Sequence, residues 1–196
     1  MENSILSLLS KEEQSLVEVH HYKKDEIIFK EGEVCNNVSI IVKGIVDIVS
    51  YSFSGKEIVF NSLKKNDLFG NNLLFSSTPK YKGNVTSRSD STIVFISKNN
   101  LLKIFESNQE FLLRYLNIQS DNGKALNNRI RLLSYDSAFE RLDYYLFINN
   151  GSIEFKSVSS LASLLNLKRE TLSRLISKLE KENVIQRSPH HISKIN

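Results

Sequence analysis

The sequence holds a single cysteine, Cys35, in 196 residues. One thiol closes no intrachain disulfide, so a cysteine-stapled secreted scaffold is excluded, as is an ordinary iron–sulfur site with several thiolate ligands. No apolar run approaches the eighteen residues of a membrane-crossing helix. The opening MENSILSLLSKEEQ turns charged too early for a signal peptide, so a cytoplasmic protein without a membrane partner is expected. Seven glycines and two prolines are too few for a low-complexity chain. There is no Walker or dinucleotide-binding glycine pattern, no paired carboxylates, no nucleophile–base pattern and no metal-ligand cluster. An enzyme is therefore not expected, and no metal or cofactor is assigned. His20 and His21 are adjacent, so a regular element points them apart.

What is present is 40% hydrophobic residues, enough for real cores, and a net charge of +4 that permits an acidic partner without demanding one. The most informative stretch is 157–185, SVSSLASLLNLKRETLSRLISKLEKENVI. Ser157 suits a helix N-cap, with Leu161, Ala162, Leu164 and Leu165 as the apolar face behind it. Asn166 sits where the chain must turn, and asparagine tolerates the left-handed conformation. A second helix, opened by Lys168 or Thr171, repeats Leu172, Leu175, Ile176 and Leu179 at helical spacing. Ala162 is small enough to let the two helices approach. Lys168, Arg169, Glu170, Thr171, Ser173 and Arg174 then lie mostly off the buried face, at the end a helix-turn-helix protein presents to the major groove. Arginine matches guanine bidentately and a carboxylate accepts from cytosine, so Arg169, Glu170 and Arg174 are suited to reading bases. The competing reading is a helical hairpin with solvated charges.

Ser10 and Glu13 form a capping box for a short helix over 11–19. From Tyr22 to Ser97 short β-branched runs alternate with turns: 26–30, 38–42, 45–51, 57–63, 85–87 and 92–97. That texture indicates an antiparallel sandwich or barrel. Lys43-Gly44 and Ser54-Gly55 read as hairpin turns. A small helix is expected over 99–106, and a long one, capped by Asn108, ends near Ser134–Asp136. Within it Leu112, Leu116, Gln119, Gly123, Leu126, Ile130 and Leu133 recur at spacings of three and four, a coiled-coil seam that wants a second copy. Phe111, Leu113 and Tyr115 are placed to pack on the β domain. Ser137 or Asp136 caps a further helix holding Phe139, Leu142, Leu146 and Phe147, which stops at Asn149-Asn150-Gly151.

Gly32-Glu33, the Ile41-Val42-Lys43-Gly44 turn, Gly55-Lys56-Glu57, Asp67 and Phe69-Gly70, followed by Arg169-Glu170-Thr171 and Arg174, resemble the Crp/Fnr family (cyclic-AMP receptor and fumarate–nitrate regulators). The likeness covers nearly the whole chain in order. It implies an α+β protein: a β-roll, or double-stranded β-helix, over 1–107, a dimerisation helix over 108–134, and a winged helix-turn-helix over 135–196. Its wing would bring Arg187, His190, His191 and Lys194 near phosphates. It implies a homodimer on double-stranded palindromic DNA with TGTGA-like half-sites, and RNA polymerase as a further partner. The rival is a ligand-binding roll that acts through a protein partner.

The resemblance places an effector pocket at Phe69, Gly70, Asn71, Asn72, Tyr81 and Lys82. Family members that hold a cyclic nucleotide carry a glutamate after the glycine and an arginine–serine pair further on; here stand Asn71-Asn72 and Tyr81-Lys82, with Arg88 beyond. Without those charge-assisted contacts cyclic AMP is not the expected effector, and Lys82 offers only a point charge. Cys35 lacks the cationic neighbours that activate a thiol, so a passive role is expected.

Overall fold

Ser10 N–H donates to Glu13 Oε2 (2.9 Å) and Glu13 N–H to Ser10 Oγ (3.2 Å), the reciprocal pair expected of that sequence. The helix it opens is shorter than 11–19. In the computed structural model, which describes residues 4–195, it is one 3-10 turn, Glu13–Leu16. Val17 is already extended (φ −111°, ψ 149°) because strand β1 (Glu18–Tyr22) follows at once.

The remaining strands of the first unit are β2 (Ile27–Phe29), β3 (Asn37–Lys43), β4 (Ile45–Tyr51), β5 (Glu57–Lys64), β6 (Leu68–Phe69), β7 (Asn84–Ser87) and β8 (Ser91–Ser97). They form two four-stranded antiparallel sheets, β1-β8-β3-β6 and β2-β7-β4-β5. β3 and β8 read as nearly continuous apolar runs, and Val38, Ile40, Ile41, Val46, Val85, Ile93 and Ile96 form the filling of the roll.

Ser54-Gly55 turns the β4–β5 hairpin as expected, with Gly55 N–H donating to Ser52 O (2.9 Å). Lys43-Gly44 does not turn a hairpin. β3 pairs with β6 and β8, whereas β4 pairs with β5 and β7, so this dipeptide carries the chain from one sheet to the other. Gly44 has φ +101°, and a Cβ there would lie 2.1 Å from Ser91 Oγ, which leaves glycine as the residue that fits.

Ser97 caps helix α1 (Lys98–Ser107), and Asn108 Oδ1 accepts from Phe111 N–H (2.9 Å) at the start of helix α2 (Gln109–Ser134). Phe111 and Tyr115 are buried in the roll's core; Leu113, expected beside them, is 54% exposed. The chain divides into two compact units inside α2, between Ser120 and Asp121, so the helix Gln109–Ser134 contributes residues to both.

Glu13 does more than cap. Its carboxylate also accepts from Ser107 Oγ (2.7 Å) and Asn108 Nδ2 (2.9 Å), tying the N-terminal turn to the α1–α2 junction. Burial would raise its pKa, but hydrogen bonds from Ser10, Asn108 and Ser107 outweigh that and hold it below the ordinary value. Glu13→Ala should destabilise the protein by about 1–3 kcal/mol, because several donors lose their acceptor. A depressed carboxylate stabilises fully above its unfolded value and loses the contribution as pH falls through its lower folded value. Urea unfolding at neutral and acidic pH checks this: the gap between wild type and variant should narrow only on the acid side.

In the second unit Ser137 and Glu140 form a capping box on helix α3 (Ala138–Ile148). Strand β9 (Ser152–Glu154), helices α4 (Val158–Leu164) and α5 (Arg169–Lys181), and strands β10 (Ile185–Ser188) and β11 (His191–Lys194) follow, with the strands in the order β10-β11-β9. Leu142, Leu146, Leu161, Leu165, Leu172, Ile176 and Ile192 make a second, self-contained core. Phe139 and Phe147 of α3 stay outside it and are exposed.

Candidate nucleic-acid interface and effector pocket

Ser157 Oγ accepts from Ser160 N–H (3.1 Å), and Ser160 Oγ returns the favour to Ser157 N–H (3.0 Å), so α4 starts where expected. It ends at Leu164 with Leu165 as the C-cap; Asn166 then takes the left-handed conformation (φ +53°), and Leu167 N–H donates back to Ala162 O (2.8 Å). Ala162 is buried at the α4–α5 contact. Two arginines satisfy carbonyls of this turn: Arg141, itself anchored to Tyr135 O ahead of α3 (2.8 Å), donates to Asn166 O (3.0 Å), and Arg129 to Leu164 O. Neither was legible as a brace, because its partner is backbone far along the chain.

Lys168 is the N-cap residue of α5, without a capping bond from its side chain. Leu172, Ile176 and Leu179 are buried and Leu175 is half-buried, which turns Lys168, Arg169, Glu170, Thr171 and Arg174 outward; Ser173 is half-buried at the margin. Among the described residues the ion pair on α5 joins Lys178 to Glu182 (3.8 Å), beyond the expected readers. Arg169, Glu170 and Arg174 therefore present open hydrogen-bonding groups. Ser173, Arg174, Ser177, Lys178, Lys181 and Glu182 line a furrow along the helix. Lys178 and Lys181 were missed by sequence reasoning, although they stand four and seven positions after Arg174, on the same side.

The wing exists as the β10–β11 hairpin, turning at His190 (φ +65°). Two of its four expected phosphate-facing groups are engaged within the unit: Lys194 Nζ pairs with Asp143 (2.6 Å), and His191 Nε2 meets Ser152 Oγ (2.8 Å). Arg187 and His190 are exposed.

The effector-pocket residues divide into two groups. Asn72 and Lys82 are exposed, whereas Phe69, Gly70, Asn71 and Tyr81 are buried in the roll. The Tyr81 ring stacks on Phe29 at 4.5 Å between centroids and 13° between planes. Its hydroxyl has no hydrogen-bond partner among the described residues, and burial pushes the phenol pKa up. Asn71 reaches α2: its carbonyl accepts from Tyr115 Oη (3.2 Å) and Gln119 Nε2 (3.0 Å), and its Nδ2 donates to Gln119 Oε1. Burial pushes the Tyr115 phenol up to about 12, which keeps it a donor. Arg88 is committed to Asp47 (2.9 Å) and Glu57 (2.5 Å), with Asp25 at 3.9 Å. The bonds to Glu57 and Asp47 raise its guanidinium further above the ordinary value, so it is held as a structural cation. Cys35 is buried, and its thiol donates to Asn37 O (3.3 Å).

Along α2 the expected seam is mostly outside: Leu116, Gly123, Leu126, Ile130 and Leu133 are exposed and Leu112 is half-buried. Gln119 departs from that pattern. Its side chain is held by Asn71, so it belongs to the roll-facing side of the helix.

Residues 19–108 match a cyclic nucleotide-binding domain, and residues 140–195 match a Crp-like helix-turn-helix domain. The chain is 23% identical over 174 residues to the anaerobic regulatory protein of Bacillus subtilis, covering 83% of this chain and 73% of that one. It is 20% identical over 177 residues to the cAMP-activated global transcriptional regulator CRP of Salmonella typhimurium, with 85% and 84% covered. Among solved structures, a variant of CooA from Carboxydothermus hydrogenoformans aligns with a TM-score of 0.65 at 18% identity, over 100% of this chain and 93% of that chain. At these identities the structural likeness speaks for the fold.

Proposed function

The chain belongs to the Crp/Fnr family of DNA-binding transcription regulators, and from that premise we propose that it acts as a cytoplasmic homodimer on palindromic double-stranded DNA. One observation carries the reading: α5 buries Leu172, Ile176 and Leu179 while displaying Arg169, Glu170 and Arg174 at its N-terminal half, free of ion pairs among the described residues. Arg169 and Arg174 stand five positions apart, about 140° around a 3.6-residue helix, and so reach different base pairs. Each arginine matches guanine O6 and N7, and Glu170 accepts from a cytosine amine. Lys168 adds a phosphate contact, which sets position and salt dependence but not sequence. Two copies joined along α2 present two such helices to half-sites about one helical turn apart. RNA polymerase is the protein partner that promoter work requires.

Among the described residues no helix is long and apolar enough to cross a membrane. We assign no cofactor or metal. Cyclic AMP is not the effector in this reading: Asn71 is tied to α2, Arg88 is committed to carboxylates, and Lys82 is an exposed point charge. The rival, a roll acting only through a protein partner, has no use for the display on α5. Sequencing the fragments that the pure protein retains from a random double-stranded DNA pool tests the proposal; the expected outcome is an enriched palindrome.

A further inference from the structure

We propose that the roll carries its own occupant: Tyr81 closes its interior and, through the Gly70–Asn71 loop, holds α2 in the arrangement that binds DNA, so that no small effector is needed. The inference rests on the DNA-binding reading and adds how that binding is set.

Four features converge on this loop. Tyr81 is 4% exposed and lies flat on Phe29, as a bound aromatic ligand would. Its backbone is fixed on both sides, with Tyr81 N–H donating to Glu33 O (3.0 Å) and Gly32 N–H to Tyr81 O (2.9 Å). The space beside it is full: a Cβ on Gly70 would meet Asn37 O at 2.6 Å, Cys35 Sγ at 3.0 Å and the Tyr81 hydroxyl at 3.4 Å. The next residue, Asn71, makes the three hydrogen bonds to Tyr115 and Gln119 of α2.

The Tyr81 hydroxyl is buried and unpartnered among the described residues, so its ring supplies packing volume where its oxygen supplies no bond. Gly70 is the link between ring and tie. If the ring were absent, Gly70 and Asn71 would be free to settle inward and pull on Gln119. α2 is unbroken to Ser134 and so enters the unit that holds α5. A side chain that favours one arrangement of such an element does the work that differential ligand affinity does elsewhere.

The test measures anisotropy of a labelled DNA site selected by the wild-type protein, using full-length protein at a concentration where it is dimeric. Wild type should bind equally well with and without millimolar cyclic AMP, and Tyr81→Phe should match it. Tyr81→Ala should bind about tenfold more weakly, and phenol, which matches the ring and hydroxyl removed beyond Cβ, should restore affinity. If Tyr81→Ala does not fold, Gln119→Leu cuts the tie without emptying the interior and should weaken binding about fivefold in a protein that still folds and dimerises. A folded Tyr81→Ala dimer or a Gln119→Leu protein with wild-type affinity overturns the proposal. So does wild-type affinity that rises tenfold with cyclic AMP, or a Tyr81→Ala defect that phenol leaves untouched. A wild-type protein that retains no DNA overturns the DNA reading first, and this proposal with it.

Discussion

Leu126→Asp and Ile130→Asp should each turn the dimer into monomers or aggregates in sedimentation equilibrium. Leu126 and Ile130 are 61% and 57% exposed, large values for apolar side chains on a long helix. With Leu133 they repeat at spacings of four and three, the rhythm of a two-helix seam. The other side of α2 is already used within the second unit, where Leu132 is buried and Asn128 Oδ1 accepts from Tyr144 Oη (3.1 Å). One face thus belongs to the fold, and the other is the exposed face that the proposed second copy would cover. An aspartate there buries an unpaired charge, repeated by the symmetry of the dimer, at a cost of about 3–5 kcal/mol. Variants that sediment as dimers of normal affinity would show that the two copies join elsewhere.

Arg174→Ala should cost about 1–3 kcal/mol of DNA affinity and relax the choice of base at one position of each half-site. The side chain is exposed, lies on the outer side of α5 and has no ion-pair partner among the described residues, so truncation removes a reader without disturbing a core. Lys168→Ala is the contrast. As a phosphate contact it should weaken all sequences alike and flatten the salt dependence by about one ion. Selected sequence logos for the two variants separate these roles. A logo unchanged at every position in Arg174→Ala would mean that other residues read the bases.

The helix-turn-helix was legible because each of its features is local. Ser157 caps its own helix, Asn166 supplies its own left-handed turn, and Leu172, Ile176 and Leu179 keep helical period. The long β-branched runs that became β3, β4, β5 and β8 were legible for the same reason. What escaped depends on distant partners. β1 reads EVHHY, too polar to announce a strand, and exists because β8 pairs with it. Lys43-Gly44 has the composition of a hairpin turn, yet only the pairing of β3 with β8 shows that it crosses between sheets. Gln119 has the spacing of a seam residue, and nothing local reveals that Asn71, 48 positions earlier, holds it. Arg88 likewise resembles a free cation until Asp47 and Glu57 are placed around it.

The most direct measurement is selection from a random duplex pool by the pure, full-length protein, followed by sequencing of what it retains. One enriched motif with two-fold symmetry is expected: TGTGA-like half-sites centred about one helical turn apart, with guanines where Arg169 and Arg174 reach the bases. Retained DNA with no enriched motif, or a motif without two-fold symmetry, would contradict it.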